Sequence, residues 1–312
     1  MGRVTVGDDV LAEQFSAHRA HLMGVAYRLT GTRSDAEDAI QEAWLRLSGV
    51  DSERRAAIRD LRGWLTTTVG RICLDRLRSA AARRERYVGP WLPEPVVTPF
   101  GAPPSEDPLE TVVRHEDVRM AAMVLLDQLT PEQRVAVVLH DAFSVPFAEI
   151  AEILGVSEPT ARQHASRGRR AAAEADPPPR VPLAEQRVVV ERLMAALSAG
   201  DVPAVVELLH PDVVLIGDSD GKARTARRVM VGADKMARFL VGLLRIYGAH
   251  RMSQTQLVLV NGDLGLALPD LPAEGEYLNL SRRVGTFAIR DGRIVAMYDI
   301  VNPDKLTRVR LT

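Results

Sequence analysis

Hydrogen-bonding side chains recur at helical spacing between residues 157 and 170. Those that face outward are hydroxyl, amide and guanidinium groups, namely Thr160, Arg162, Gln163, Ser166 and Arg167, with Arg169 and Arg170 behind them. In the major groove of DNA, arginine pairs well with guanine and glutamine with adenine, while further arginines can hold backbone phosphates. These residue types at this spacing therefore suit the recognition of DNA bases.

The sequence before this helix predicts how the helix is held. Ile150, Ile153 and Leu154 fall on one face of a preceding amphipathic helix. Gly155 can adopt the left-handed conformation that ends a helix, and Ser157 is a good N-cap for the next one. A short helix, a glycine turn and a basic second helix form the pattern of a helix-turn-helix, whose second helix enters the major groove. A solvated, charged helical hairpin is the alternative.

A second set of charged side chains lies on a helix predicted over residues 34–47. Its apolar positions form one stripe, and the opposite face carries Asp35, Asp38, Gln41 and Glu42. The segment 60–86 that follows ends strongly basic, and its Trp64 ring can stack on the bases of a nucleic-acid strand. One block thus presents an acidic face and a basic end, which suit two different partners. Read singly, each is also compatible with a plain solvated surface.

Composition narrows the class of protein. The chain has 312 residues and a net charge of -1, so any charge that binds DNA must be local. Cys73 is the only cysteine, which excludes intramolecular disulfides and cysteine-rich zinc sites. His18 and His21 have helical spacing but no third ligand nearby, and we expect no metal or cofactor. Because no apolar run approaches about 18 residues and no signal peptide opens the chain, we expect a cytoplasmic protein without membrane contact.

Two proline-rich segments divide the chain. They cover residues 87–108 and 176–182 and leave blocks at 1–86, 109–175 and 183–312. The first two blocks are predicted to be all-helical. The third begins with helices over 183–199 and 202–209, and its segments 256–268 and 283–301 alternate as strands do. Asn261-Gly262 and Asp291-Gly292 favour tight hairpin turns within those segments.

Taken together, three segments resemble an extracytoplasmic-function sigma factor over about residues 8–175. They are DAEDAIQEAWLRL, DLRGWLTTTVGRICLDRLR and LTPEQRVAVVLHDAFSVPFAEIAEILGVSEPTARQHASRGRR, in that order. The resemblance implies that residues 1–86 are sigma domain 2, which binds the β and β′ subunits of core RNA polymerase and melts the promoter −10 element. It implies that residues 109–175 are sigma domain 4, whose helix-turn-helix reads the −35 element.

The resemblance also assigns residues to these roles. It places Asp35, Asp38, Gln41 and Glu42 against the core polymerase, and it places Trp64, Arg71, Arg76 and Arg78 at the −10 element. Family members commonly carry asparagine in the stretch that follows the Trp-Leu pair, where this chain has Arg71. That departure bears on the choice of −10 bases.

Two further stretches resemble the signatures of a subgroup with a fused C-terminal SnoaL-like domain. They are WLPEP at residues 91–95 and NPDKL at residues 302–306, and DSDGK at 218–222 is a partial third match. The resemblance implies a cone-shaped α+β domain over 183–312 that regulates the sigma domains in cis, where other members use a separate anti-sigma protein. Because an unburied tryptophan on a linker is wasteful, we predict a regulatory contact between the two stretches. It would involve Trp91, Leu92, Pro93, Asn302, Pro303, Asp304, Lys305 and Leu306.

Two other functions stay open at this point. A ligand-sensing helix-turn-helix regulator explains residues 109–312 but leaves the acidic helix and the Trp64 segment without a role. A cyclase or hydrolase attached to DNA would need paired titratable groups in the cone, and an unidentified small ligand could also bind there. The candidates for catalysis are His210, Asp212, Asp218, Asp220, His250, Asp263 and Asp299. Their spacing pairs none of them, so we expect a sigma factor with a fused regulator and no catalysis.

Overall fold

The computed structural model describes residues 6–84, 86–103, 107–115 and 118–311 and divides into two compact units. The first unit holds the described residues up to 84, those from 107 to 118, and 122–176. The second holds 86–103, 119–121 and 177–311. In the described ranges, no helix is both long and apolar enough to cross a membrane.

Helices make up the first half of the chain. Their bounds are α1 Val6–Ala17, α2 Arg19–Thr30, α3 Arg33–Ser48, α4 Ser52–Ala56, α5 Leu61–Arg84, α6 Pro108–His115, α7 Met120–Asp127, α8 Pro131–Val137, α9 Phe147–Leu154 and α10 Glu158–Glu174. Helix α2 is buried from Leu22 to Thr30 and packs against α3, α5 and α6. It is therefore the central element of the first unit. The side chains of residues 80–84, within the predicted basic end, lie outside the described ones.

The helix-turn-helix forms from the local signals in its sequence. Ile150, Ile153 and Leu154 are buried, and Gly155 ends α9 in the left-handed conformation with a φ of 69°. Ser157 then caps α10, its hydroxyl accepting a hydrogen bond from the Thr160 N–H at 3.4 Å. The turn predicted from the sequence is confirmed.

The second unit is a curved sheet covered by helices. Its helices are α11 Leu183–Ala199, α12 Val202–Leu208 and α13 Ala233–Tyr247. Its strands are β1 Val97–Pro99, β2 Leu209–Asp218, β3 Met230–Val231, β4 Gln256–Val260, β5 Asp263–Leu268, β6 Arg283–Arg290 and β7 Arg293–Ile300. They form one sheet in the order β1-β4-β5-β6-β7-β2-β3, antiparallel except where β2 pairs with β7.

Local turn chemistry sets the strand pairing, and apolar side chains fill the space beneath the helices. Asn261 and Asp291 adopt positive φ values of 53° and 51° at the two predicted hairpin turns. The interior is packed by Val190 and Leu193 of α11, Met236, Ala237 and Val241 of α13, and Leu264, Phe287, Ile294 and Met297 of the sheet. The predicted α+β architecture of the third block is therefore confirmed.

The proline-rich segment, expected as a linker over 87–108, contributes a strand to the second unit. Residues 86–103 belong to the second unit, and β1 extends its sheet by pairing with β4. Asn261 fixes the register, because its side-chain oxygen accepts from the Val96 N–H at 2.9 Å while its own N–H donates to Val96 O at 2.9 Å. An edge strand tolerates the prolines, which lack the N–H donor that a central strand needs.

Candidate functional site

Helix α10 presents its predicted reading residues because small residues occupy its other face. Ala161, Ala165 and Gly168 are buried against α8, and a Cβ at Gly168 would lie 2.6 Å from a methyl carbon of Val137. This packing leaves Arg162, Gln163, Ser166, Arg167, Arg169 and Arg170 exposed, with Thr160 half-buried. Gly168 was missed in the sequence, although its spacing from Ala161 and Ala165 is helical.

The arginines of α10 differ in how firmly they are held. Arg169 makes two hydrogen bonds with the Asp141 carboxylate, at 2.9 and 2.6 Å, and this bonding holds the pKa of Asp141 below its usual range. Arg162 lies 4.7 Å from the centroid of the Phe147 ring and pairs with Glu158. Both ion pairs are exposed and contribute little to stability. A phosphate or a base can therefore take the place of Asp141 or Glu158.

The carboxylates of α3 surround an arginine that was expected elsewhere. Arg76 Nη1 lies 3.3 Å from an Asp35 oxygen and 3.5 Å from an Asp38 oxygen, and its Nη2 lies 3.9 Å from Glu42. On α5, Trp64, Arg71 and Arg78 are seven residues apart and share a face, whereas Arg76 lies about 120° around the helix from Trp64. The structure thus places Arg76 with the acidic helix and apart from the other residues predicted to bind the −10 element.

An apolar groove adjoins this acidic face. Phe15 and Trp44 line it with ring centroids 5.1 Å apart, and Ile40 and the predicted Gln41 lie beside them. Leu45, which follows Trp44, is 62% exposed. Carboxylates, an amide and exposed apolar side chains together suit a protein partner with a basic and apolar surface.

Within the first unit, the face of α5 that carries Trp64 packs against α8 and α9. Arg71 lies 3.5 Å from Glu152, Arg78 lies 3.0 Å from Glu132, and the Thr67 hydroxyl donates to Glu149 at 3.3 Å. Gly70 permits the close approach, because a Cβ there would lie 3.2 Å from Leu139 and 3.3 Å from Ile153. We call this set of residues the helical contact.

Helix α2 adds an aromatic part to the helical contact. The Phe143 ring meets the His21 ring edge-on at 5.1 Å, and the Arg28 guanidinium lies 5.2 Å from its centroid. Burial, reinforced by the nearby Arg62 charge, lowers the pKa of His21 to about 4. The neutral imidazole is hydrogen-bonded to the Thr66 hydroxyl at 2.8 Å.

In the second unit, the fully buried carboxylate of Asp218 joins the proline-rich segment to the end of the chain. One of its oxygens accepts from the Leu92 N–H at 2.7 Å and from Lys305 Nζ at 2.6 Å, and the other accepts from the Tyr87 hydroxyl. Lys305 Nζ also donates to Leu92 O and lies 4.2 Å from the centroid of the Trp91 ring. We call these residues, with Asn302, the linker cluster.

The remaining members of the linker cluster are also hydrogen-bonded, paired or buried. Asn302 donates to the Tyr87 hydroxyl at 2.7 Å, and burial together with the Asp218 hydrogen bond raises the pKa of Tyr87. At its edge, Asp304 pairs with Lys222, and Leu306 is buried. Pro93 follows buried Leu92, and Pro303 begins the short 3-10 turn that positions Lys305. Tyr87 was missed, and no pattern in the sequence connects it with Asp218 across 131 residues.

Most of the titratable side chains considered for catalysis have a local partner. Asp263 accepts from Gln186 at 2.9 Å, and Asp299 accepts from Thr225 at 2.6 Å. Asp220 pairs with Lys222, His250 lies 3.9 Å from Glu274, and His210 Nδ1 accepts from the N–H of Asp212. Across the described part of the chain, no three His, Cys, Asp or Glu side chains are grouped to hold a metal.

Models of known protein families match three successive segments of the chain. The Sigma-70 region 2 family model matches residues 14–83, the Sigma-70 region 4 model matches 119–171, and the SnoaL-like domain model matches 190–297. The ECF RNA polymerase sigma factor SigJ of Mycobacterium tuberculosis is 53% identical over 300 residues, which cover 94% of this chain and 92% of that protein.

Two further comparisons cover nearly the whole chain. The probable ECF RNA polymerase sigma factor SigI of M. tuberculosis is 36% identical over 97% of both chains. The crystal structure of M. tuberculosis SigJ matches with a TM-score of 0.81 and 50% identity, covering 96% of this chain and all of that one. The chain therefore belongs to the extracytoplasmic-function RNA polymerase sigma factors, and it carries a SnoaL-like domain at its C-terminal end.

Proposed function

We propose that this sigma factor directs promoter-specific initiation by core RNA polymerase through separate surfaces for polymerase and DNA. Asp35, Asp38, Gln41 and Glu42, with the apolar groove beside Trp44, form the polymerase surface. Trp64, Arg71 and Arg78 of α5 contact the −10 element, and the exposed polar face of α10 reads the −35 element. The observation that carries the proposal is the presence of both surface types on one all-helical unit, in the chain order of the sigma regions.

We further propose that the helical contact is a closed state that opens on promoter binding. The names of the two elements place them about 25 base pairs apart, or about 85 Å along B-form DNA. Since α5 packs directly against α9, the two DNA-binding surfaces cannot reach both elements at once. Arg71 and Arg78 must also exchange Glu152 and Glu132 for phosphates.

The linker cluster supports a regulatory role for the C-terminal domain in cis. Residues 86–103 join the two sigma domains, and as a free extended chain these 18 residues would span up to about 60 Å. When these residues are bound to the C-terminal domain, they cannot extend to that length. We propose that the domain thereby controls how far the sigma domains separate. We expect this without a separate anti-sigma protein and without catalysis, and both expectations stay predictions.

Run-off transcription with purified core polymerase tests the assignment. Asp38→Lys/Glu42→Lys should abolish holoenzyme formation and transcripts, because it reverses charge on the polymerase surface. The control, Glu53→Lys/Glu185→Lys, makes the same charge change at exposed sites outside the polymerase surface and should stay active. Undiminished polymerase capture by the first variant contradicts the proposed surface.

Arg162→Ala tests the reading helix separately. Loss of one base-contacting arginine costs about 1–3 kcal/mol and relaxes specificity at one −35 position, which a promoter library scores directly. Arg170→Ala, which removes a proposed phosphate contact, should instead weaken binding to all promoters alike and lower its salt dependence. An unchanged −35 preference in Arg162→Ala would mean that the reading face is misplaced.

A further inference from the structure

The loop between β2 and β3 of the C-terminal domain carries a concentration of positive charge. The stretch 222–228 reads KARTARR, and the side chains of Arg224, Arg227 and Arg228 are exposed. Two other basic segments lie beside it. Arg283 at the start of β6 donates to the Arg224 carbonyl at 3.2 Å, and its neighbour Arg282 donates to the Val309 carbonyl at 3.3 Å.

We call the six arginines of these three neighbouring segments the basic patch. They are Arg224, Arg227, Arg228, Arg282, Arg283 and Arg310. Arg282 and Arg283 have acidic partners in Asp270 and Asp299. Within the described ranges, no carboxylate lies within 4.0 Å of Arg224, Arg227, Arg228 or Arg310. On a chain with 40 basic and 41 acidic residues, this local excess of positive charge is uncompensated.

Most exposed arginines are simply solvated, but the backbone of this loop is fixed. The Thr225 hydroxyl donates to the Asp299 carboxylate at 2.6 Å, and Arg283 holds the Arg224 carbonyl. Gly217 on β2 lies directly beneath, since a Cβ there would be 2.4 Å from the Thr225 hydroxyl and 2.9 Å from a backbone oxygen. Because Thr225 is anchored inward, the arginines on either side of it are presented to solvent from a pre-organised backbone.

The position of the loop relates it to the promoter. Asp220, which precedes it, accepts from the Val88 N–H at 3.2 Å, and the Arg227 carbonyl adjoins Gly89. The basic patch therefore lies beside the segment that joins the −10-binding and −35-binding domains. Duplex DNA carries one negative charge per about 1.7 Å of axis, and guanidinium groups pair bidentately with phosphate.

We propose that the basic patch binds the phosphate backbone of promoter DNA, so that the C-terminal domain contributes directly to holoenzyme–promoter affinity. This rests on the sigma-factor function and adds a third DNA-binding surface to it. The contacts are to phosphate, so they raise affinity for all promoters alike and leave sequence preference unchanged.

The test measures the salt dependence of promoter binding by full-length holoenzyme, using a labelled duplex and 50–200 mM potassium chloride. Each phosphate contact adds about 0.9 to the slope of log K against log salt, so Arg224→Ala/Arg227→Ala/Arg228→Ala should lower the slope by about 2–3. At 0.1 M salt, each lost contact weakens binding by about eightfold. Arg224→Lys/Arg227→Lys/Arg228→Lys should keep most of the slope, because the charge is retained.

The matched control is Arg187→Ala/Arg192→Ala/Arg293→Ala, which removes three exposed arginines outside the patch. Arg293 lies at the far end of the β6–β7 hairpin from Arg283, about 23 Å away along the strand. This variant should keep the wild-type slope. The proposal is wrong if the patch variant keeps the wild-type slope, or if both variants lose it equally.

A lower affinity of the patch variant for core polymerase, with an unchanged salt slope on DNA, would also overturn the proposal and assign the patch to a protein contact. Thermal unfolding checks that both variants fold. Failure of the sigma-factor function itself is distinguishable, because the wild-type chain would then start no transcripts with core polymerase.

Discussion

The helical contact and the linker cluster join parts of this chain by opposite physical means. The helical contact is edged by exposed ion pairs: Arg71 and Glu152 are 47% and 71% exposed. The linker cluster centres on Asp218 and Lys305, which are 0% and 9% exposed and satisfied by backbone groups of Leu92. Exposed pairs contribute about 0–1 kcal/mol each, whereas loss of one partner from a buried pair costs about 3–5 kcal/mol.

This difference suggests a division of labour. With exposed ion pairs at its edge, the helical contact suits a surface that must open each time the protein binds a promoter. The buried linker cluster suits an anchor that stays closed through many such events and opens only when a signal alters it. A contact can serve as a switch when the free-energy gap between its states is within reach of ligand binding.

The largest expected effect comes from Asp218→Ala. It leaves Lys305 buried without its counter-ion, so we expect the second unit to lose about 3–5 kcal/mol of unfolding free energy, measured by urea denaturation. The linker should also become sensitive to protease near Trp91. The matched control is Asp304→Ala, which removes an exposed partner of Lys222 and should cost under about 1 kcal/mol. Equal losses in the two variants would remove the contrast between buried and exposed pairs.

A functional form of the same test deletes residues 302–312. Transcript yield should change while affinity for core polymerase stays the same, because the deletion removes Asn302 and Lys305 from the linker cluster and leaves α3 intact. Yields are compared on one promoter at matched concentrations. Identical yields would leave the end of the chain without a regulatory role.

Gly70→Leu attacks the helical contact at its closest approach. The new side chain must displace Leu139 and Ile153, and overpacking of this kind costs about 1–3 kcal/mol. The closed state should be destabilised, so the variant should bind promoter DNA more tightly than wild type in the absence of polymerase. Leu74→Met, a volume-conserving change at a buried position of the same helix, is the control. Unchanged or weaker DNA binding by Gly70→Leu counts against closure at this surface.

Acid should also loosen the helical contact. His21 has a folded pKa of about 4 against an unfolded value of 6.5, so the unfolded chain binds the proton more readily between these values. The contribution of neutral His21 to the free energy of unfolding is therefore complete above pH 6.5 and is lost as pH falls toward 4. Because His21 is partly exposed, solvent screens its charge, and the loss is on the order of 1 kcal/mol. Denaturation midpoints of wild type and His21→Gln should converge at low pH, and parallel pH profiles would contradict this.

The smallest expected effect comes from removing only the ion pairs of the helical contact. Glu132→Gln/Glu152→Gln removes the partners of Arg78 and Arg71 and should weaken the contact by under about 1 kcal/mol per pair. Salt screens exposed charges, so the difference from wild type should vanish near 1 M salt. An effect that persists at that ionic strength would mean that these pairs are not the exposed, screened interactions that their geometry indicates.

Local signals explain what the sequence could predict. Gly155 ends the first helix of the helix-turn-helix through its backbone conformation, and Ser157 caps the second through its hydroxyl. Asn261-Gly262 sets a hairpin through its backbone preference. The helical angle from Trp64 also predicts that Arg76 faces another side of α5, and its assignment to the −10 element stays a prediction.

Other features depend on contacts between distant parts of the chain. Tyr87 and Asp218 are 131 positions apart, and Val96 and Asn261 are 165 apart. Neither pair has a periodicity or a spacing that a single sequence can show. Strand β1 is likewise defined by its partner β4, because its proline-rich sequence favours extended backbone in any setting.

The most direct test of the closed state is a reducible cross-link across the helical contact. Thr67→Cys/Glu149→Cys replaces two side chains whose ends are hydrogen-bonded at 3.3 Å, and a short bis-methanethiosulfonate reagent bridges the two thiols through disulfides. The native Cys73 will not interfere because burial raises the pKa of its thiol to about 12. The cross-linked protein should start no transcripts with core polymerase, and dithiothreitol should restore them, while reagent-treated Thr67→Cys alone stays active. Wild-type transcription by the fully cross-linked double variant would contradict the account.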